Sequence, residues 1–522
     1  VAGGQAESGK RLDIETFAAV DFFASQTSQS PRAREIMSAT PLTIELTNES
    51  ADGPSLSKSI RELLVIALPM AISAGSVTMM HLANRLFLTW HKQDELAAVL
   101  PASMWNWTLL SLFVGTAQYV NTFVSQYEGA QRPDRVAAAI WQGIYFALGA
   151  GLLLTVLSPT TTFVFYYFSN DPNVRDLEIQ YFLIVCLGSL PVVLSGVLGC
   201  FFSGRQFTRI TMAVNLTGSL INIVLDYILI FGFGPIPSYG MAGAAWATVT
   251  AEFSILAIYL VVLWNSADAA RYGLWKNWHF DRDLFKRLLR YGLPSGFHFL
   301  VDVLGFSIFI FLVGWIDKSV LAATTLAFNL NTLAFLPVVG LGTAVSILVG
   351  NRIGDGKPDE AARITWLAFG VAAIYMLFFG AIFVGLPDLL LSPYSIEANA
   401  EEFQRIRPMV VKLLWFVAVY SLFDAMAIVF GAGLRGAGDT RFAMLFSFLS
   451  GWLLMVVPTW IGVKYWGWGV ISAWTACTVY VVFLGLGFAT RFQQGKWRSM
   501  RVIEVPPPDI VETPIREEIL PG

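Results

Sequence analysis

Between Tyr291 and Ile316 the chain is apolar for about the length that crosses a bilayer, on the order of 20 residues, yet Asp302 lies near its centre. An ionised carboxylate at that depth costs on the order of 3 kcal/mol, so it must face protein or water. His298 precedes it by one helical turn and shares its helix face. Other apolar stretches carry comparable groups: Asn84 with Arg85, Asn222 with Asp226, Thr248 with Glu252, and Asp424. A buried carboxylate can take up a proton or a small cation reversibly, and ionisable groups inside membrane segments mark ion and substrate paths. Asp226, Asp302 and Asp424 are read in that role. Asn222, Thr248 and His298 serve equally well as interhelical hydrogen-bonding groups.

Other patterns fail for want of context. "GAGLRG" from Gly431 satisfies GxGxxG literally, but it follows an apolar span where nucleotide binding needs a strand and a βαβ unit. "GAGD" from Gly436 resembles the intramembrane aspartyl protease motif, but Asp439 falls in a turn beside Arg435 and Arg441. Cys186, Cys200 and Cys477 are isolated in apolar runs, so neither a disulfide framework nor a thiolate metal site is expected. His81, His91, His279 and His298 do not cluster. No enzyme activity, structural metal or organic cofactor is expected; a transient Na+ at Asp302 and Asp424 is the one metal ion considered.

The elements that must hold these groups follow from composition. Of 522 residues, 55% are hydrophobic and only 14% charged, and the mean hydropathy is +0.61, which marks a polytopic membrane protein. The net charge of -3 comes without a large basic cluster, so no nucleic-acid partner is expected. Twelve apolar spans follow one another between residues 60 and 491, long enough for tilt or for kinks at Pro69, Pro191, Pro294 and Pro337. Basic residues concentrate in alternate loops, with Arg132 and Arg135, Arg205 and Arg209, Arg271 to Arg290, Arg352 and Lys357, and Arg435 and Arg441 on one side. The positive-inside rule makes that side cytoplasmic, with both termini there. A multi-pass protein of the cell inner (plasma) membrane is expected. Residues 1–57 are polar and lack the apolar core of a signal peptide, so they read as a disordered cytoplasmic segment, with Met37 as an alternative start.

The two halves repeat. "SQYEGAQRPDRVAAAIW" from Ser125 superposes on "GNRIGDGKPDEAARITW" from Gly350 at an offset of 225, and Pro69 and Gly115 match Pro294 and Gly340 at that offset. Six spans per copy is an even number, so the halves share one orientation about an axis along the membrane normal. The expected organisation is all-α, with an N-lobe at 58–265, a cytoplasmic linker at 266–284, a C-lobe at 285–495 and a cytoplasmic tail at 496–522, disordered from Val502 onward. A site should lie between the two six-helix bundles.

"ELAAVLPASMW" from Glu95, "SQYEGA" from Ser125, "NIVLDYILIFG" from Asn222, "GMAGAAWATV" from Gly240, "LVGNRIGDG" from Leu348 and "DAMAIVFGAGLRGAGDTR" from Asp424 together resemble the multidrug and toxic compound extrusion (MATE) transporters, over roughly residues 58 to 495. The resemblance implies two six-helix lobes forming a V, and efflux of organic, often cationic, compounds in exchange for Na+ or H+. It also implies that Asp302 and Asp424 stand where the NorM branch has its carboxy-lobe acids, and that Asn222, Asp226 and Thr248 match the amino-lobe cation group of the DinF branch. The family usually has an aspartate in the first span, where this chain has Asn84 followed by Arg85. Asparagine cannot exchange a proton near neutral pH, so no proton mechanism is expected to centre on that position. Arg85 or Asn84 is expected to approach Asp226 in place of a cation, with Arg85 extending to the outer headgroups as the alternative. A lipid-linked oligosaccharide or lipid flippase of the same superfamily is the alternative; such a protein should line its cavity with Arg and Lys, and the central groups here are mainly acidic. A monomer is expected.

Overall fold

The computed structural model describes residues 56–91, 93–168, 171–397 and 400–504. The expectations for most of the amino-terminal segment, for Met37 and for residues 505–522 lie outside the described residues. Twelve helices among the described residues are long and apolar enough to cross a membrane. They are α1 (Leu56–His91), α2 (Ala98–Gly129), α3 (Pro133–Tyr167), α4 (Pro172–Ser203), α5 (Thr208–Phe231), α6 (Gly240–Asn265), α7 (Arg282–Gly314), α8 (Lys318–Gly354), α9 (Pro358–Gly385), α10 (Phe403–Ala437), α11 (Thr440–Tyr465) and α12 (Val470–Gln493).

Three of the four flagged prolines behave alike: Pro69, Pro294 and Pro337 lie inside α1, α7 and α8 without ending them. Pro191 differs. α4 breaks at Leu187 and Gly188 and restarts at Ser189, so Pro191 falls in a first turn, where a missing N–H costs nothing. α3 and α9 begin with Pro133 and Pro358 at their first turn, as the repeat requires.

Each lobe has its own core, but the first helix of each repeat is shared with the other lobe. Leu63, Ile66 and Ala67 of α1 pack into the C-lobe core. Leu284 and Leu288 of α7 pack into the N-lobe core. The lobes therefore meet along α1 with α8 and α2 with α7, equivalent contacts under the 225-residue repeat. A Cβ on Gly115 would overlap the backbone of Gly296, and one on Gly340 would overlap that of Ala71; each pair is the other's image at that offset. The same reciprocity closes the end that carries the linker. A Cβ on Gly129 would overlap the Asn351 carbonyl, and one on Gly354 the Gln126 carbonyl. Only glycine permits such backbone contact.

Past α12 the chain turns at Gly495, makes one 3-10 turn at Lys496–Ser499 and crosses onto the N-lobe. Disorder from Val502 onward does not hold for the first three of those residues. Val502 and Ile503 are buried in the N-lobe core, where two β-branched apolar side chains are removed from water.

Candidate functional site

α1 and α5 run side by side in matched register. Asn215 Nδ2 donates to Ser73 Oγ at 2.7 Å, and Ser219 Oγ donates to Ser76 Oγ at 3.4 Å, pairs separated by 142 and 143 residues in sequence. Continuing that register brings Asn84 level with Asp226. Asn222 and Asp226 are fully buried, and Asn84 nearly so. With its amide oriented to satisfy both neighbours, Asn222 donates from Nδ2 to Asp226 Oδ2 at 2.9 Å and accepts from Thr248 N at 3.2 Å. The Thr248 hydroxyl donates to Ala244 O, one turn back along α6. Asp226 Oδ1 and Asn84 Oδ1 are buried without a hydrogen-bond partner among the described residues.

Of the two expected approaches to Asp226, that of Arg85 is not formed: Arg85 is exposed, and no ion pair joins it to Asp226 among the described residues. Consecutive residues on a helix point about 100° apart, so when Asn84 turns inward beside α5, Arg85 cannot follow it. Glu252 is half-buried one turn beyond Thr248 on α6, outside the Asn222 hydrogen bonds. Tyr181 of α4 lies within electrostatic reach of both Asp226 and Arg85, and Ser103 Oγ donates to its hydroxyl at 3.5 Å.

In the C-lobe, His298 Nδ1 stands 3.3 Å from Asp302 Oδ2, the helical-turn pairing expected from their spacing. Asp302 Oδ1 and His298 Nε2 have no hydrogen-bond partner among the described residues. Asp424 of α10 is half-buried and within electrostatic reach of Asp302 on α7. Three further groups join them. Arg435, eleven residues after Asp424 on α10, acts on Asp302; Tyr480 of α12 is close to both carboxylates; Tyr420 is close to Asp424. The Arg435 carbonyl also accepts from Tyr119 of the N-lobe at 2.9 Å, which ties this group to the lobe contact. Sequence reading passes over Tyr420 and Tyr480 because an aromatic residue in an apolar span looks like core. Arg435 was visible, but only as part of a motif.

The rejected motifs take structural roles. Gly431, Gly433 and Gly436 lie inside the continuous helix α10, with Gly436 against Ser346 of α8. Asp439 is buried and paired with Arg491 Nε of α12 at 2.7 Å. No group of three metal-ligating side chains occurs among the described residues.

The chain matches the MatE family model over residues 69–228 and 294–461. The two blocks start 225 residues apart, 294 minus 69, which is the internal repeat. It is 24% identical over 450 residues to a "Probable multidrug resistance protein NorM" of Thermotoga maritima, covering 85% of this chain and 94% of that protein. It is 27% identical over 412 residues to the "Multidrug resistance protein PmpM" of Pseudomonas aeruginosa, covering 77% and 83%. Among solved structures, an outward-facing MATE family transporter of the MOP superfamily superposes with a TM-score of 0.75 at 19% identity, over 84% of this chain and 97% of that one. A MOP superfamily transporter from Pyrococcus furiosus also superposes at 0.75, over 85% and 97%. With both repeats matched to one family and the same helical architecture recovered, this chain belongs to the MatE family of multi-pass membrane transporters.

Proposed function

We propose that the chain exports organic, often cationic, compounds by alternating access, in exchange for Na+ or H+, with Asp302 and Asp424 as the ion-responsive pair. The observation that carries this reading is the presence of two half-buried carboxylates, Asp302 on α7 and Asp424 on α10, within electrostatic reach of each other, with one Asp302 oxygen that has no hydrogen-bond partner among the described residues. A proton or a cation satisfies that oxygen. Two carboxylates in mutual reach also resist joint ionisation in a poorly solvated site, so the pair favours taking up one positive charge. A cationic substrate competes for the same charge, and mutually exclusive occupancy is what exchange requires. His298 Nδ1, 3.3 Å from Asp302 Oδ2, orients that carboxylate. Asp226, with Asn222, Thr248, Asn84 and Glu252 nearby, forms a second polar group in the N-lobe, where substrate can bind. The names of the drug-resistance relatives support efflux as the direction. By the positive-inside rule the end that carries the linker is cytoplasmic, so the described conformation is closed inward.

The test is gradient-driven efflux from proteoliposomes with Na+ and pH gradients imposed separately, comparing Asp302→Asn, Asp424→Asn and Asp226→Asn at matched folded amounts. Asp302→Asn and Asp424→Asn are expected to abolish gradient-driven export. Loss of transport in Asp226→Asn alone would place the coupling in the N-lobe instead.

A further inference from the structure

The two halves of the closed end are not equivalent in charge. On one side Arg352 of α8 pairs with Glu62 of α1 at 2.8 Å and with Glu360 of α9 at 3.2 Å. At the 225-residue offset these three positions become Tyr127 of α2, Arg287 of α7 and Arg135 of α3. The pattern acid–base–acid thus turns into base–tyrosine–base, so none of these three positions carries an acid, although Asp281 at the start of α7 pairs with Arg135 at 2.9 Å.

Glu504 supplies a shared acid. Its Oε2 accepts from Tyr127 Oη at 2.7 Å and from Arg287 at 2.8 Å. Its Oε1 faces Arg135 Nε at 2.9 Å and Arg132 at 3.1 Å. Oε2 thus accepts two hydrogen bonds, and Oε1 adds two close ion pairs. The strap that delivers it is anchored at both ends. On the C-lobe, Trp497 stacks on Phe492 with ring centroids 4.6 Å apart, and Arg498 donates to Asp359 at 2.6 Å. On the N-lobe, Val502 N donates to Gln126 Oε1 at 3.0 Å, while Gln126 Nε2 donates to Gly436 O of the C-lobe at 2.9 Å. Burial of Glu504 favours its neutral form, but the Tyr127 hydroxyl, Arg135 and Arg132 outweigh it and hold the carboxyl below the usual range.

We infer that residues Arg501 to Glu504 are a latch between the lobes, in which Glu504 completes a clamp whose three repeat-matched positions carry no acid and so sets how readily this end opens. The inference rests on the alternating-access reading, since an end that never opened would need no releasable acid. Opening separates α2 from α7 and must draw Glu504 away from Tyr127 and the two N-lobe arginines. Without the carboxylate, Arg132, Arg135 and Arg287 lose the acid they share, Arg135 keeps Asp281, and the net positive charge left behind pushes the closed end apart.

The measurement is the distance distribution between spin labels at Arg209 and Lys357, exposed residues at this end of opposite lobes, in the full chain held in lipid nanodiscs. The three native cysteines are buried, and they are replaced first. Glu504→Gln is expected to shift the closed-to-open ratio toward open by on the order of tenfold, because bonds to an ionised, partly buried carboxylate are the strong kind. A chain ending at Ser499 should shift it at least as far, and Glu504→Asp should restore the closed distance. Unchanged distances in both Glu504→Gln and the shortened chain, with melting temperatures intact, overturn the proposal. The readout involves no substrate, so a failure of the efflux assay leaves it standing and identifies which of the two readings is wrong.

Discussion

Asn222 does for Asp226 what water does elsewhere. Its amide donates to one carboxylate oxygen, and its carbonyl accepts from Thr248 N of α6, so one side chain joins α5 to its neighbour and orients the acid. A buried acceptor left without its donor costs about 1–3 kcal/mol. Asn222→Leu should lower the melting temperature of the purified transporter accordingly. Asn222→Leu combined with Asp226→Asn should cost less than the sum of the two, since the second change removes the group the first one strands. Strict additivity in thermal melts would show that the two side chains do not act as a pair.

Elements show the repeat more sharply than residues do. The loop from α2 to α3 turns through Gln131 at φ 55°, and its image from α8 to α9 turns through Gly356 at φ 76°. The left-handed conformation costs a side-chain-bearing residue roughly 1–2 kcal/mol, part of which glycine returns through its looser unfolded chain. Gln131→Gly is therefore expected to stabilise the protein by about 0.5–1 kcal/mol, visible as a raised melting temperature. Destabilisation would mean that the Gln131 side chain contributes more than its backbone costs. Another element breaks the symmetry: α11 carries a π turn at Gly451–Val456, while the described α5 is regular throughout. Met455 in that turn reaches the face of α7 at Gly305, one turn beyond Asp302. Such turns recur at functional sites.

At the scale of the whole molecule, lobe closure depends on charge at one end. Glu504 faces Tyr127, Arg132, Arg135 and Arg287, and Arg135 also holds Asp281, 2.9 Å away. Burial works against the Asp281 charge, yet the Leu284 backbone N–H and Arg135 hold its carboxyl below the usual range too. Both acids bind their protons less tightly in the closed state than in an open one. Their contribution to closure is thus complete above the ordinary carboxylate range, about 4, and is lost as pH falls through the lower closed-state values. The distances across this end should stay constant from neutral pH down to about that point and lengthen below it. Lengthening between pH 8 and 6 would point to other groups.

Much was legible without coordinates. Twelve spans, the 225-residue repeat, the shared orientation of the halves and the acids at depth all follow from hydropathy and local spacing, because a bilayer forces long apolar helices and penalises every charge inside them. The His298 and Asp302 contact was equally readable, since one helical turn separates them. What local spacing could not reveal was which face of α1 turns inward. Asn84 and Arg85 are adjacent in sequence, and only packing against α5 decided that the amide is buried while the guanidinium is exposed. Nor could it place the tail. Residues 501–504 look like the start of a polar, Pro-rich end, and their partners Tyr127 and Arg287 are 377 and 217 residues away. Helix periodicity carries no information over such separations, so Glu504 acquires its role only when the two lobes close around it.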